Sequence, residues 1–273
     1  MTETAITPLE PPLRPDFHRD LPLAAPIDWL KLGIRDTFQS PASSLAYGLF
    51  VFVISLITIG GLFLLGYDYI LLPALAGFMV MGPAIAVGLY EKSLLLAAGK
   101  RSELRDMMLV HARSPGQILF VGVILMLVVM LWLRAAFLLY ALFFGMIPFG
   151  GFDQVLATTF TTPQGWGLLL VGTATGGLFA AFSFAISAFS IPMLMNERKD
   201  ALTAMGVSMA MAWSNKGLAI VWGGIVIALF AISLLTALIG LIVVFPILGH
   251  ATWHAYVAMR GDTAQVTREP AEG

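Results

Sequence analysis

The residues of this chain that could do chemistry are few, and they sit in or beside long apolar runs. His250 and His254 are four apart, so on a helix they share one face. A single helix cannot offer two opposite axial ligands to one haem iron. A haem or quinone site would therefore rest on His250 with help from another element. A metal would need further ligands, and Glu91 and Asp200, near other run ends, are the weak candidates. The plainer reading is a packed or hydrogen-bonded histidine pair. Arg134 stands inside an apolar run, where an arginine costs a few kcal/mol unless it is paired or snorkels to the headgroups. It follows Gln117 by 17 residues, about 25 Å at the rise of a helix. That puts it towards the far leaflet, with Asp68 or Asp153 as possible partners. The sharper alternative is an anion site for a lipid phosphate or a partner's carboxylate. Three prolines, Pro83, Pro192 and Pro246, recur late in apolar runs, where a missing N–H and a crowded preceding turn predict kinks.

The absences narrow the function. Cysteine is missing, which removes disulfides, thiolate catalysis, Cys-ligated zinc and iron–sulfur clusters. There is no phosphate-binding G-x-x-x-x-G-K-[ST], no H-E-x-x-H and no G-x-S-x-G. The sequence places no Asp or Glu well inside a span, which argues against proton- or sodium-coupled transport. The expectation is no enzyme, no cofactor and no metal. A net charge of −1 gives no field to recruit nucleic acid.

These residues need lipid around them. Of 273 residues, 59% are hydrophobic and 11% charged, against about 25% charged in soluble domains. Mean hydropathy is +0.89. Six uncharged or nearly uncharged runs are each about long enough to cross a 30 Å hydrocarbon layer: Leu45–Leu65, Ile70–Tyr90, Gln117–Leu139, Trp166–Ile191, Leu218–Leu238 and Ile239–Tyr256. The fourth is dense in small residues from Gly172 to Ala188, which lets backbones approach closely and predicts a central span. The tryptophans Trp213, Trp222 and Trp253 read as interface or packing residues.

Polar-faced segments precede the first, third and fifth runs. Asp28–Gln39 puts Ile27, Leu30, Ile34 and Phe38 on one face and Asp28, Lys31, Arg35 and Asp36 mainly on the other, as a helix on a membrane surface would. Glu91–Arg113 is polar, with Leu104, Met107, Met108 and His111 lining one face of its second half. Asp200–Ser214 is the third. Each ends in a break, at Ser40-Pro41, Ser114-Pro115 and Asn215-Lys216-Gly217. The expected architecture is an all-α polytopic membrane protein of six transmembrane helices, arranged as three hairpins, each preceded by an amphipathic interfacial helix. Possible repeats are 27–92, 103–197 and 200–257 within a membrane domain at 27–259. Residues 1–26, rich in proline and without the apolar core of a signal peptide, and 260–273 are expected to be disordered tails. Tyr140–Thr162 is expected to be an outer loop.

Fourteen of the fifteen basic residues, all but Arg134, fall in the tails and the two even-numbered loops. Positive charge stays cytoplasmic, so both termini are expected inside.

Three stretches carry a resemblance: Ala-Phe-Ser190-Ile-Pro192-Met-Leu, Asp200-Ala-Leu-Thr-Ala-Met, and Phe-Pro246-Ile-Leu-Gly-His250-Ala-Thr-Trp-His254-Ala-Tyr256. In them the chain resembles a bacterial family of integral membrane proteins, domain of unknown function 2189, over roughly Leu32 to Met259. The resemblance implies an inner-membrane location and carries no activity. Some members are labelled as cytochrome c oxidase subunits. The catalytic subunit is a poor fit, because only four histidines exist and His18 and His111 lie outside the spans. What the resemblance leaves is an accessory role beside a respiratory or other membrane complex. A non-enzymatic accessory or structural protein is thus the first expectation. A small-molecule or lipid transporter working through the proline-kinked spans is the alternative, and a haem- or quinone-binding subunit using His250 is a weaker third.

Overall fold

Residues 17–145 and 151–261 are described by the structure, a computed structural model. They form helices throughout, with no strand among them: α1 (Ala25–Gln39), α2 (Pro41–Leu64), a 3₁₀ turn at Asp68–Ile70, α3 (Leu71–Ile85), α4 (Val87–Ala97), α5 (Leu104–Met108), α6 (Pro115–Phe144), α7 (Phe152–Thr161), α8 (Pro163–Ser187), α9 (Ser190–Asn196), α10 (Ala201–Ser214), α11 (Lys216–Leu235) and α12 (Leu241–Arg260). Six stretches are long and apolar enough to cross a membrane: α2, Asp68–Ala97, α6, Pro163–Asn196, α11 and α12. This is the all-α, six-span class that composition predicts.

The starts of α2, α6 and α11 share one local solution. Ser40, Ser114 and Asn215 precede them with φ/ψ of −141/76, −135/63 and −123/49. Pro41 and Pro115 follow at the first helical position, where a missing N–H costs nothing. Each short preceding helix packs on a returning span: α5 on α4, α10 on α8 and α9, and α1 on α12.

Two returning spans are interrupted. The second breaks at Ala86, three residues after Pro83, and the fourth at Ala188–Phe189, three residues before Pro192. Side chains from neighbouring helices take up the backbone groups that the breaks release. Tyr47 Oη on α2 donates to Ile85 O at 2.6 Å. Ser208 on α10 donates to Ala185 O at 2.7 Å and accepts from Phe189 N at 3.2 Å. Pro246 lies inside α12 without interrupting it.

The fourth span is central, as its small residues predict, with neighbours on α3, α4, α6, α10 and α12, and the sixth is a second hub: α12 packs against α1, α2, α4, α9 and α11. Glycines on its partners make this possible. A Cβ at Gly33 of α1 would lie 2.5 Å from Ile247 O, and one at Gly48 of α2 would collide with Ile242 O. In the fourth span Gly176 is pressed against Trp132, whereas Gly172 and Gly177 face open space.

Several expectations change. The N-terminal tail is ordered by Phe17. Arg19 N donates to Asn215 Oδ1 at 2.8 Å, and its guanidinium reaches Met259 O and Arg260 O at 2.9 and 3.2 Å. The rest of that tail, residues 1–16, and residues 262–273 lie outside the described residues, as do 146–150 of the expected outer loop. The remainder of that loop carries α6 on to Phe144 and then forms α7. The Glu91–Arg113 segment is not one surface helix. Glu91, Lys92 and Ser93 continue the second span as buried residues of α4, and only the five-residue α5 follows. The helix runs on because Leu94-Leu95-Leu96-Ala97 resumes the apolar pattern as far as Gly99, whose φ of +70° turns the chain away.

Candidate functional site

The buried polar groups gather at one end of the bundle, where Lys92, Arg113, Arg198, Lys216 and Arg260 also lie; we call it the basic end. Asp36 is at its centre, and its side chain is 2% exposed. The sequence pattern puts it on the polar face of α1. In the structure it shares the packed face with Trp29, Gly33 and Thr37: Trp29 and Gly33 precede it by seven and three residues, and Thr37 follows Gly33 by four, the spacings that bring helix positions to one side.

Hydrogen bonds link seven side chains from four helices. Lys92 Nζ on α4 donates to Ser40 O (2.7 Å), Ser43 Oγ (3.2 Å) and Ser44 Oγ (2.7 Å). Its three protons then have three acceptors, as an ammonium requires. Ser44 accepts from Lys92, so its own proton turns to His250 Nε2, 3.0 Å away. His250 is then the Nδ1–H tautomer and donates to Ser93 Oγ at 2.8 Å. Ser93 donates onward to Asp36 Oδ2 at 2.9 Å, and His254 Nε2 meets the same oxygen at 2.7 Å. A buried cation and a buried carboxylate are thus joined by Ser44, His250 and Ser93, with every donor pointing the same way. Burial pushes the Asp36 carboxyl up, but the hydrogen bond and field of His254 and the Ser93 hydroxyl outweigh it, and it stays below the usual carboxylate range. Asp36 Oδ1 has no hydrogen-bond partner; Arg35 Nη2 lies 3.6 Å from it.

A second knot ties the fourth span to the sixth. Arg260 grips Glu197 with two bonds, Nε to Oε1 at 2.8 Å and Nη2 to Oε2 at 2.9 Å, the fork geometry that suits a carboxylate. Tyr256 Oη also donates to Oε1 at 2.9 Å, and Lys199 Nζ stands 3.7 Å from Oε2. Burial raises the Glu197 carboxyl, and Arg260, Tyr256 and Lys199 together bring it below its ordinary value. Beside this knot lies a shallow, open cleft lined by Arg113, Ser114, Gln117, Arg198, Lys199 and Asp200, among others.

The residues singled out by sequence separate into two groups. His250 and His254 both belong to the Asp36 network, bonded to its other members rather than to each other. Both ring nitrogens of His250 face serine hydroxyls, so as placed neither is open to iron. Among the described residues no three His, Asp or Glu side chains converge to hold a metal; Glu91 is buried in α4 and Asp200 caps α10 through Thr203 N at 2.8 Å. At the far end the expected pairing of Arg134 is replaced by another. Asp68 Oδ2 accepts from Phe152 N at 2.6 Å and caps α7. Arg134 is exposed on α6, and no ion pair joins it to Asp68 or Asp153 among the described residues.

Lys92, Ser93, Ser44, Glu197 and Tyr256 carry most of this geometry, and the sequence reading misses their part in it. It expects no acid well inside a span, and Glu91 lies towards the basic end of the Asp68–Ala97 stretch, buried at 1% exposure, while α1 brings Asp36 in from the side.

A helical, multi-pass integral membrane protein is the class that these spans and this buried polar end define. Within it, residues 71–196 match the family described as "Predicted integral membrane protein (DUF2189)". That match spans the second to fourth transmembrane stretches, including Lys92, Ser93 and the Ser190–Pro192 motif; the motifs at Asp200 and His250 lie beyond it. No curated protein and no solved structure matches the chain.

Proposed function

We propose that this chain is a non-enzymatic structural or accessory protein of the bacterial inner membrane, with both termini in the cytoplasm, packing against another membrane complex. One observation carries the reading: the buried polar interior of the basic end is satisfied by the chain's own side chains. Lys92 is met by three serine oxygens, Asp36 by Ser93 and His254, and Glu197 by Arg260, and the carbonyls freed at the two helix breaks, Ile85 O and Ala185 O, are held by Tyr47 and Ser208. Discontinuous helices of transporters instead leave such groups open to an ion or substrate. The distribution of basic residues supports the orientation, and the resemblance to the 2189 family points to a respiratory complex as the partner. The test is extraction of tagged chain in mild detergent. The reading expects a large complex of fixed stoichiometry; a monodisperse particle of the chain alone would remove it.

A second reading, transport of a small molecule or lipid, draws on Glu91, Lys92 and His250 buried within spans, since ionisable residues at such positions commonly mark a transport path. Uptake into vesicles that stops in Lys92→Met would favour it over the first.

A further inference from the structure

We propose that the cleft between the starts of α6 and α10 binds the phosphate-bearing headgroup of an anionic membrane lipid. Two segments far apart in sequence bring Arg113, Arg198 and Lys199 to one opening. They are held there: Arg113 N donates to Met195 O at 3.1 Å, Ser114 Oγ donates to Glu197 O and accepts from Lys199 N, and Gln117 Oε1 accepts from Ala201 N at 2.9 Å. The nearby acids do not cancel the three cations. Glu197 takes two bonds from Arg260 and also lies 3.7 Å from Lys199 Nζ, and Asp200 offsets one further charge while its Oδ1 caps α10, so with Arg260 included four cations face two carboxylates. The opening keeps a net charge of about two positives, more than enough to attract the single negative charge of a phospholipid phosphodiester.

The surroundings select a lipid over a free anion. Within two to five residues of Gln117 on α6, about 3–8 Å along the helix, the surface turns apolar and open, with Leu119 71% exposed and Phe120 beside it. On α10 Leu202, two residues past Asp200, is 67% exposed. The same helix ends at Trp213, 72% exposed, with Lys216 Nζ 4.7 Å over its ring, an aromatic and cation of the kind that settle at headgroup level. A ligand that fits both parts has an anionic head and an acyl chain running down α6.

The experiment is native mass spectrometry of the detergent-solubilised full chain, exchanged into phosphatidylglycerol or phosphatidylcholine. The expected result is one phosphatidylglycerol retained at activation energies that strip phosphatidylcholine. Arg113→Gln with Arg198→Gln should weaken retention by about fivefold per charge removed. Arg113→Lys with Arg198→Lys should keep it, and Lys100→Gln, elsewhere on the basic end, should leave it unchanged. Equal retention of the two lipids, or an equal loss in Lys100→Gln, would overturn the site. Inorganic phosphate at millimolar concentration should fail to displace the lipid; displacement would mean that the cleft takes free phosphate and would end the lipid assignment. The exposed arginines make misfolding a small concern, and an unchanged elution volume of each variant checks it.

Discussion

The two ends of the bundle solve opposite problems. At the basic end charges are buried, and α1, α2, α4, α9 and α12 are drawn together around Asp36, Lys92, His250 and Glu197. At the far end α2, α6 and α8 stand largely exposed, from Leu56 and Leu64 to Leu138, Leu142 and Leu170. Their polar groups, Asp68, Asp153 and Arg134, are at the periphery. Lipid is as apolar as leucine and gives helices no hydrophobic reason to associate, so at the far end little beyond van der Waals contact draws them in. A buried ion without a partner costs several kcal/mol, so at the basic end the helices must stay in register or lose far more than contact area. The difference teaches that in this protein polar bonds, more than apolar burial, decide where the spans converge.

The comparison can be broken most severely at Asp36. Asp36→Asn keeps the shape but removes the charge opposite Lys92, and we expect a loss of roughly 3–5 kcal/mol, seen as a large fall in thermal unfolding temperature in detergent. Gly33→Val should follow, at roughly 1–3 kcal/mol, because its side chain would meet the α12 backbone at Ile247 and Ala251. Tyr47→Phe leaves Ile85 O unsatisfied and should cost about 1–2 kcal/mol without changing packing volume. At the far end effects should be small. Arg134→Gln should stay within about 0.5 kcal/mol. Ala237→Gly should stabilise by up to about 1 kcal/mol, because Ala237 holds a φ of +50° in the tight turn between α11 and α12.

Acid sharpens the same contrast. Asp36 and Glu197 are both held below their ordinary values. Their contribution is therefore complete above about pH 5, where the unfolded carboxyls are ionised, and is lost as pH falls through the folded values. Unfolding temperature should begin to drop below about pH 5, and the drop should shrink in Glu197→Gln.

The spans are legible because a run of about 20 apolar residues is too long and too greasy for anything but a helix in lipid. The basic end is not. Asp36 lies between Arg35 and Thr37, and a wheel drawn for one apolar stripe assigns it to water. The signal that could move it is the second face, Trp29, Gly33, Asp36 and Thr37, where a glycine marks close approach. Glu91-Lys92-Ser93 looks like a span end wherever charge is taken as a boundary, although the leucines that follow show the helix continuing. The Glu197–Arg260 knot joins residues 63 apart, and no local pattern announces such a pair. Helical rise alone gives a depth for Arg134, but its surroundings cannot be read from spacing, since Asp68 is engaged by the first amide of α7.

The most direct test of the linked charges is a double-mutant cycle on Asp36→Asn and Lys92→Met, read as unfolding free energy in one detergent at pH 7.5. If Ser44, His250 and Ser93 join the two charges into one unit, the double variant should be less damaged than the sum of the singles, with a coupling of about 1–3 kcal/mol. Losses that add to within about 0.5 kcal/mol would show that the two residues act independently and that the basic end is held by packing instead.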